Sequence, residues 1–189
     1  LEMMYQTCGT QINLDYTSEN DFIKKFKLSS YLVPLSIAVF ANSPVKESKL
    51  NGYLSYRSHV WQHTSRGGLP KIFLEAMDFE KYADMIIDKP LLFISRSSQH
   101  LKAGGKTFKN FIEGNVDIIK GVKPTINDLK NHLSTIFTEV RLKQYIEIRS
   151  VDTCEWNCHC AAPAFYLGLL YGNLNEALEV VDKWDSAEV

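Results

Sequence analysis

At 189 residues the chain can bury one substantial core, so a single domain spanning residues 1–189 is the expectation. A composition of 45% hydrophobic and 23% charged residues is that of an ordinary globular protein, and a net charge of −1 excludes a general pull toward nucleic acid or an anionic membrane. Any anion site must therefore be local, and no apolar run reaches the ~18 residues that a membrane span requires. The opening Leu1-Glu2-Met3-Met4-Tyr5 carries no basic leader region, which makes a cytoplasmic location the expectation. Both ends look cut from something longer. Leu1 stands directly before a strand-like run, and the chain stops over Trp184 to Val189, where another helix could begin.

In chain order, Thr7 to Tyr16 alternates cleanly, with Ile12, Leu14 and Tyr16 on one face and Gly9, Gln11, Asn13 and Asp15 on the other. Ser18 and Asp21 frame a capping box that opens a helix with Phe22, Phe26, Val33, Ile37 and Phe40 near one face. Pro34 should kink or break that helix. Asn51-Gly52 signals a turn before an aromatic-rich segment, Tyr53 to Trp61, read as extended with Arg57, His59 and Trp61 on one side. There Arg57 can either fork a carboxylate or stack on Trp61 for packing. Ser65 to Pro70 reads as a flexible loop suited to cover a site.

Asp78 to Asp88 is expected to be helical, Leu91 to Ile94 a short buried strand, and Gly104-Gly105 a turn. Helices are expected over Thr107–Glu113 and Thr125–Phe137, the second opened by a Thr125–Asp128 capping box. Lys143 to Asp152 is the strand that matters most. Ile146 and Ile148 point one way, while Tyr145, Glu147 and Arg149 point the other. The ordinary reading of Glu147 beside Arg149 is a surface ion pair, and the alternative is a concave sheet that handles metal and phosphate. Cys154, Cys158, His159 and Cys160 raise the question of zinc, but adjacent His159 and Cys160 cannot easily both reach one tetrahedral ion, so reduced thiols are the default. A helical pair broken at Gly172 closes the chain.

Several of these segments together resemble the glutamate-cysteine ligase family of the plant and proteobacterial type. They are Met3-Met4-Tyr5-Gln6-Thr7-Cys8 with Gln11 to Asp15, Phe40 to Pro44, Asn51 to Trp61, Thr135 to Lys143, the Glu147-Ile148-Arg149 strand, and Cys160 to Tyr171. The resemblance runs end to end in one order. It implies an α+β fold, a curved antiparallel sheet flanked by helices like the catalytic half of glutamine synthetase, of which this chain would be the C-terminal part. It also implies ATP-dependent joining of the glutamate γ-carboxylate to the cysteine amine through an acyl phosphate, the first step of glutathione biosynthesis, with ATP and Mg²⁺ as cofactors. The partners would be the small molecules glutamate, cysteine and ATP, with no nucleic acid and no membrane.

Carried over by position, Glu147 and Arg149 would be catalytic, with Glu147 and Gln11 as metal ligands. Arg57, Trp61, Asn13 and Arg141 would bind substrate. Leu92 stands where plant members have a tyrosine lining the cysteine pocket, which keeps a related glutamate-amine ligase with another acceptor in play. A non-catalytic zinc-binding module is the remaining alternative. The family's first metal-binding glutamates precede the Met3-Met4 match, so this stretch alone is expected to be inactive. Cys160 aligns with one cysteine of the plant redox disulfide, whose partner would lie upstream.

Overall fold

The computed structural model describes residues 2–64 and 67–184. Of the Ser65 to Pro70 loop, the first two residues lie outside that range, as do Leu1 and the final Asp185 to Val189. The chain divides into two compact units, one formed by residues 1–78 with 138–189 and the other by residues 79–137. Both units are α+β, with small antiparallel sheets.

The first unit opens with a helical turn, α1 (Glu2–Tyr5), where a strand-like run was expected. Strand β1 (Gly9–Leu14) follows, with Thr10, Ile12 and Leu14 buried and Gly9, Gln11 and Asn13 exposed. Ser18 then caps α2 (Glu19–Tyr31) by accepting from the Asp21 N–H, and Asp21 reaches back to the Thr17 N–H at 2.9 Å. The helix breaks at Leu32, and Pro34 sits in the first turn of α3 (Val33–Val39), where a missing N–H costs nothing. Phe22 and Phe26 are fully buried, with ring centroids 5.1 Å apart. A hairpin, β2 (Val45–Lys46) and β3 (Lys49–Leu50), turns on Glu47 and Ser48, both at positive φ.

The segment read as extended is a helix from Tyr56 onward, α4 (Tyr56–Gln62). Gly52 does make the turn, at φ +86°, and Tyr53 N–H donates to Asn51 Oδ1. Ser55 then caps the helix by accepting from the Ser58 N–H, and this local cap outweighs the extended preference of the aromatic residues.

The second unit comprises α5 (Phe79–Ile87), the hairpin β4 (Ile94–Arg96) with β5 (Gln99–Leu101), α6 (Phe108–Glu113) and α7 (Ile126–Ser134). The expected strand Leu91 to Ile94 is displaced: Leu91 anchors the core, Leu92 is 52% exposed, and pairing begins only at Ile94. Gly104 and Gly105 form the expected turn, both at positive φ. The capping box at Thr125 and Asp128 is fully formed, and α7 ends at Ser134 rather than Phe137. Leu91, Ile94, Phe108, Phe111 and Val116 form this unit's own core.

Returning to the first unit, β6 (Val140–Leu142) and β7 (Ile146–Asp152) join β1 in an antiparallel sheet ordered β1-β7-β6. The middle strand of this sheet is β7. The helices α8 (Ala161–Leu167) and α9 (Leu174–Val181) are linked by a π turn over Gly168–Gly172. Ile146 and Ile148 are fully buried on the helix side of β7, where Ser150 bonds Ser36 Oγ at 2.7 Å. No described helix is long and apolar enough to cross a membrane.

Candidate functional site

The pairing register places Asn13, Glu147 and Arg141 directly opposite one another across β1, β7 and β6, and therefore on one face. Glu147 is 2% exposed. Its Oε2 accepts from Arg141 Nη1 at 2.8 Å and from Arg149 Nη1 at 3.1 Å, and its Oε1 accepts from Lys143 Nζ at 2.6 Å. Burial pushes the carboxyl up, but Lys143, Arg141 and Arg149 together hold it below the usual range. Burial lowers the Arg149 guanidinium from its ordinary value, opposed by Glu147 and reinforced by Arg141 and Arg57. The exposed surface pair expected from the strand is thus a buried carboxylate among the buried Arg141 and Arg149, with Lys143 joining from the exposed rim.

One turn of α4 separates Arg57 from Trp61, so both point inward, at 4% and 8% exposure. His59 leaves that face and stacks on Tyr53, with centroids 4.0 Å apart. The Arg57 and Arg149 guanidinium carbons lie 6.0 and 5.8 Å from the Trp61 ring centre, so one indole serves two cations. Arg57 Nη2 donates to the Arg149 carbonyl, while its Nη1 is buried with no hydrogen-bond partner. Gly9 makes this placement possible. A β-carbon there would overlap Arg57 Nε and stand 3.0 Å from both Arg57 Cζ and the Val151 carbonyl.

A β-bulge completes the face. Ile12 pairs with Ile148, yet Thr10 pairs with Val151, so Arg149 and Ser150 together oppose Gln11. Beyond the bulge the alternation slips by one. Val151 joins Thr10 on the buried side, and Asp152 comes opposite Gly9 on the Glu147 side. There Asp152 accepts from Asn42 N–H at 2.8 Å, Ser43 Oγ at 2.7 Å and Ser55 Oγ at 3.0 Å. Glu139 is a further buried carboxyl, fixed by its N–H to the Gly68 carbonyl and by its own carbonyl to the Arg149 N–H. Its Oε2 has no hydrogen-bond partner. Burial pushes the Glu139 carboxyl up, against the pull of Arg57 and Arg149, and Asp152 adds to the rise.

The structure therefore brings together Glu147, Arg149, Arg141, Arg57 and Trp61 from the sequence reading. Asn13 lies on the same face, exposed and opposite Glu147, and Gln11 is exposed at the bulge without a place in the buried cluster. Glu139 and Asp152 were missed. The alternation of Glu139 and Arg141 against Val140 carried the first signal. The second was hidden, because strict alternation from Ile146 puts Asp152 on the wrong face.

Mg²⁺ takes oxygen ligands in near-octahedral geometry. The described residues form no group of three or more His, Cys, Asp or Glu side chains able to hold a metal ion, and cations occupy both Glu147 oxygens. These residues do not build an Mg²⁺ site by themselves, nor a zinc site from the thiols. What the face does offer is the guanidinium groups of Arg57, Arg141 and Arg149 in a low-dielectric setting, the chemistry that receives a phosphate or carboxylate.

Comparison with known proteins gives a consistent result. The model of glutamate-cysteine ligase family 2 matches residues 1–189. The chloroplastic glutamate-cysteine ligase of Nicotiana tabacum is 44% identical, over all of this chain and 37% of the tobacco protein. Chloroplastic glutamate-cysteine ligase B of Oryza sativa subsp. japonica is 44% identical over all of the chain and 39% of its own length, and the Brassica juncea protein 45% over all of the chain and 38%. The chain thus spans well under half the length of these relatives. Their chloroplastic names overturn the cytoplasmic expectation, which rested only on residues at the start of this stretch.

Proposed function

Because the chain belongs to glutamate-cysteine ligase family 2, we propose that it is the C-terminal part of the catalytic domain of an ATP-dependent ligase joining glutamate to cysteine in glutathione biosynthesis. The single observation that carries the reading is the buried Glu147 of β7 held by three cations, Arg141 from β6, Lys143 from the turn and Arg149 from β7. In such a reaction the glutamate γ-carboxylate attacks the terminal phosphate of ATP, and the cysteine amine then displaces phosphate from the acyl phosphate. Both steps gather negative charge that a fixed set of cations can neutralise.

In this reading Arg149 and Arg141 face the transferring phosphate, preorganised by Glu147. Trp61 holds Arg149 and Arg57 at a set separation, and Arg57 presents its unpartnered Nη1 to the glutamate carboxylate. Asn13 lies beside Glu147 as a substrate contact, and Gln11 is the less supported metal ligand, being exposed. Bound Mg²⁺ would supply charge neutralisation on the phosphates, and Glu147 would be one ligand among several furnished by other parts of the protein. The β1-β7-β6 sheet is then part of a larger curved sheet of the glutamine synthetase-like kind, both units belong to one catalytic domain, and the 189-residue stretch alone is inactive. The relatives' compartment favours a plastid location.

The test is ADP release by the full-length protein with glutamate and ATP, with and without cysteine. We expect cysteine-dependent release that falls about a thousandfold in Glu147→Gln. Better turnover with another amine would point to a different acceptor, consistent with Leu92. No ATP turnover by a folded protein with any amine would sink the enzyme reading.

A further inference from the structure

A helix as short as α4 depends on how its first turn is tied down, because its opening N–H groups have no acceptor within the helix. Here those groups converge on two serines. Tyr56 N–H donates to the Ser43 carbonyl at 3.2 Å, Arg57 N–H to Ser43 Oγ at 3.1 Å, and Ser58 N–H to Ser55 Oγ at 3.2 Å. Each serine hydroxyl has a single proton, and both protons go to Asp152. Ser43 Oγ donates to its Oδ2 at 2.7 Å and Ser55 Oγ to its Oδ1 at 3.0 Å, and Asn42 N–H adds a bond to Oδ2 at 2.8 Å. Asp152 is 3% exposed, and an ionised acceptor makes such bonds roughly twice as strong as a neutral one would.

We propose that Asp152 is a positioning residue for glutamate binding, acting through α4 on Arg57. The inference rests on the ligase reading, in which Arg57 meets the glutamate carboxylate. Arg57 is the second residue of α4, so its side chain leaves the helix from within the turn that Asp152 fixes. Trp61 follows one turn later, with the Arg57 and Arg149 guanidinium carbons 6.0 and 5.8 Å from its ring centre. The strand supplies the other half of the geometry. Its bulge sets Arg149 and Asp152 on one face of β7 although they stand three positions apart. One strand therefore holds Arg149 directly and Arg57 through Asp152, and any slip of α4 against β7 changes the spacing of the two guanidinium groups. An amide cannot take over this task. Donors approach both carboxylate oxygens, so the NH₂ group of an asparagine would face a donor whichever way it turned.

The experiment measures the glutamate affinity of the full-length protein, both as KM and by calorimetric titration of L-glutamate without turnover. Asp152→Asn is expected to weaken it about tenfold by either measure, with kcat and the KM for ATP within about twofold of wild type. Ser43→Ala cuts the bond to the Arg57 N–H but leaves Asp152 two donors, and should weaken glutamate about threefold. In an Arg57→Lys background Asp152→Asn should add less than about twofold, because the residue it acts through is already lost. Glutamate and ATP constants that rise together overturn the proposal, as does a loss of thermal stability with glutamate affinity unchanged. An undiminished effect of Asp152→Asn beside Arg57→Lys overturns it too. If Asp152→Asn does not fold, Ser43→Ala decides, and unchanged glutamate affinity in that variant refutes the proposal. A wild-type protein that binds no glutamate sinks the ligase reading and this inference with it. Wild type and variants that bind glutamate equally well sink this inference alone.

Discussion

Asp128 and Glu147 are both buried carboxylates bound by arginine, and they differ in what else surrounds them. Asp128 closes its own accounts. Arg96 forks it at 2.5 and 3.0 Å, and Thr125 fills the remaining positions with its N–H at 2.7 Å and hydroxyl at 2.8 Å, capping α7. One anion meets one cation, and the rest is helix capping. Glu147 instead meets three cations, and nearby Arg57 and Glu139 each keep a buried atom unpaired. A balanced pair stabilises a fold. A carboxylate held by several cations, beside a guanidinium and a carboxyl with buried atoms lacking hydrogen bonds, is the kind of cluster that functional sites carry.

That contrast can be broken at several points. The largest effect is expected at Glu147, where the thousandfold loss of turnover in Glu147→Gln should have no counterpart in Asp128→Asn. Next comes Gly9→Ala, whose new β-carbon must move Arg57. We expect the KM for glutamate to rise about tenfold, with a stability loss of about 1–2 kcal/mol in denaturant titration. Asp128→Asn should lower stability by about 2 kcal/mol and leave KM alone. Burial works to raise the Asp128 carboxyl, and Arg96 and Thr125 more than reverse it, so its net shift is downward. Its contribution is therefore full above the unfolded carboxylate range and is lost as pH falls through the folded value; thermal melts of the variant should show a flatter acid limb.

The smallest effect has the opposite sign. Burial raises the Glu139 carboxyl, so the unfolded chain ionises first and stability declines as pH rises from the usual carboxylate range through the folded value. Glu139→Gln should remove that decline and raise neutral-pH stability by about 1 kcal/mol in the same melts. A drop instead would mean that attraction to Arg57 and Arg149 outweighs burial, making Glu139 resemble Asp128 after all.

Periodicity made β1, α2 and its break at Pro34 readable, because each is a local pattern with a local cap. The two hairpins were not. Glu47-Ser48 and Ser97-Ser98 take positive φ without the Asn-Gly or Asp-Gly signal that announces such turns. The helix α4 was lost to its aromatic content, though Ser55 and Ser58 already carried the cap. At the site, alternation and family resemblance both singled out Glu147 and Arg149, Arg141 came from the resemblance alone, and the strand register sets Arg141 opposite Glu147. Asp152 was unreadable because a bulge depends on the pairing partner, which one strand cannot reveal.

The bulge at Arg149-Ser150 has an implication for how this chain tolerates length change. It acts as a parity switch: every residue after it faces opposite to what counting from Ile146 would give. Deleting Ser150 alone would remove the extra residue and leave plain alternation, in which Val151 still pairs with Thr10 toward the helices and Asp152 still comes opposite Gly9 to meet the donors from Asn42, Ser43 and Ser55. The loss would be the Ser150 hydroxyl contacts with Ser36 and Tyr166. The strand here carries one amino acid more than its alternation needs, so losing that one costs a buried hydroxyl rather than the register.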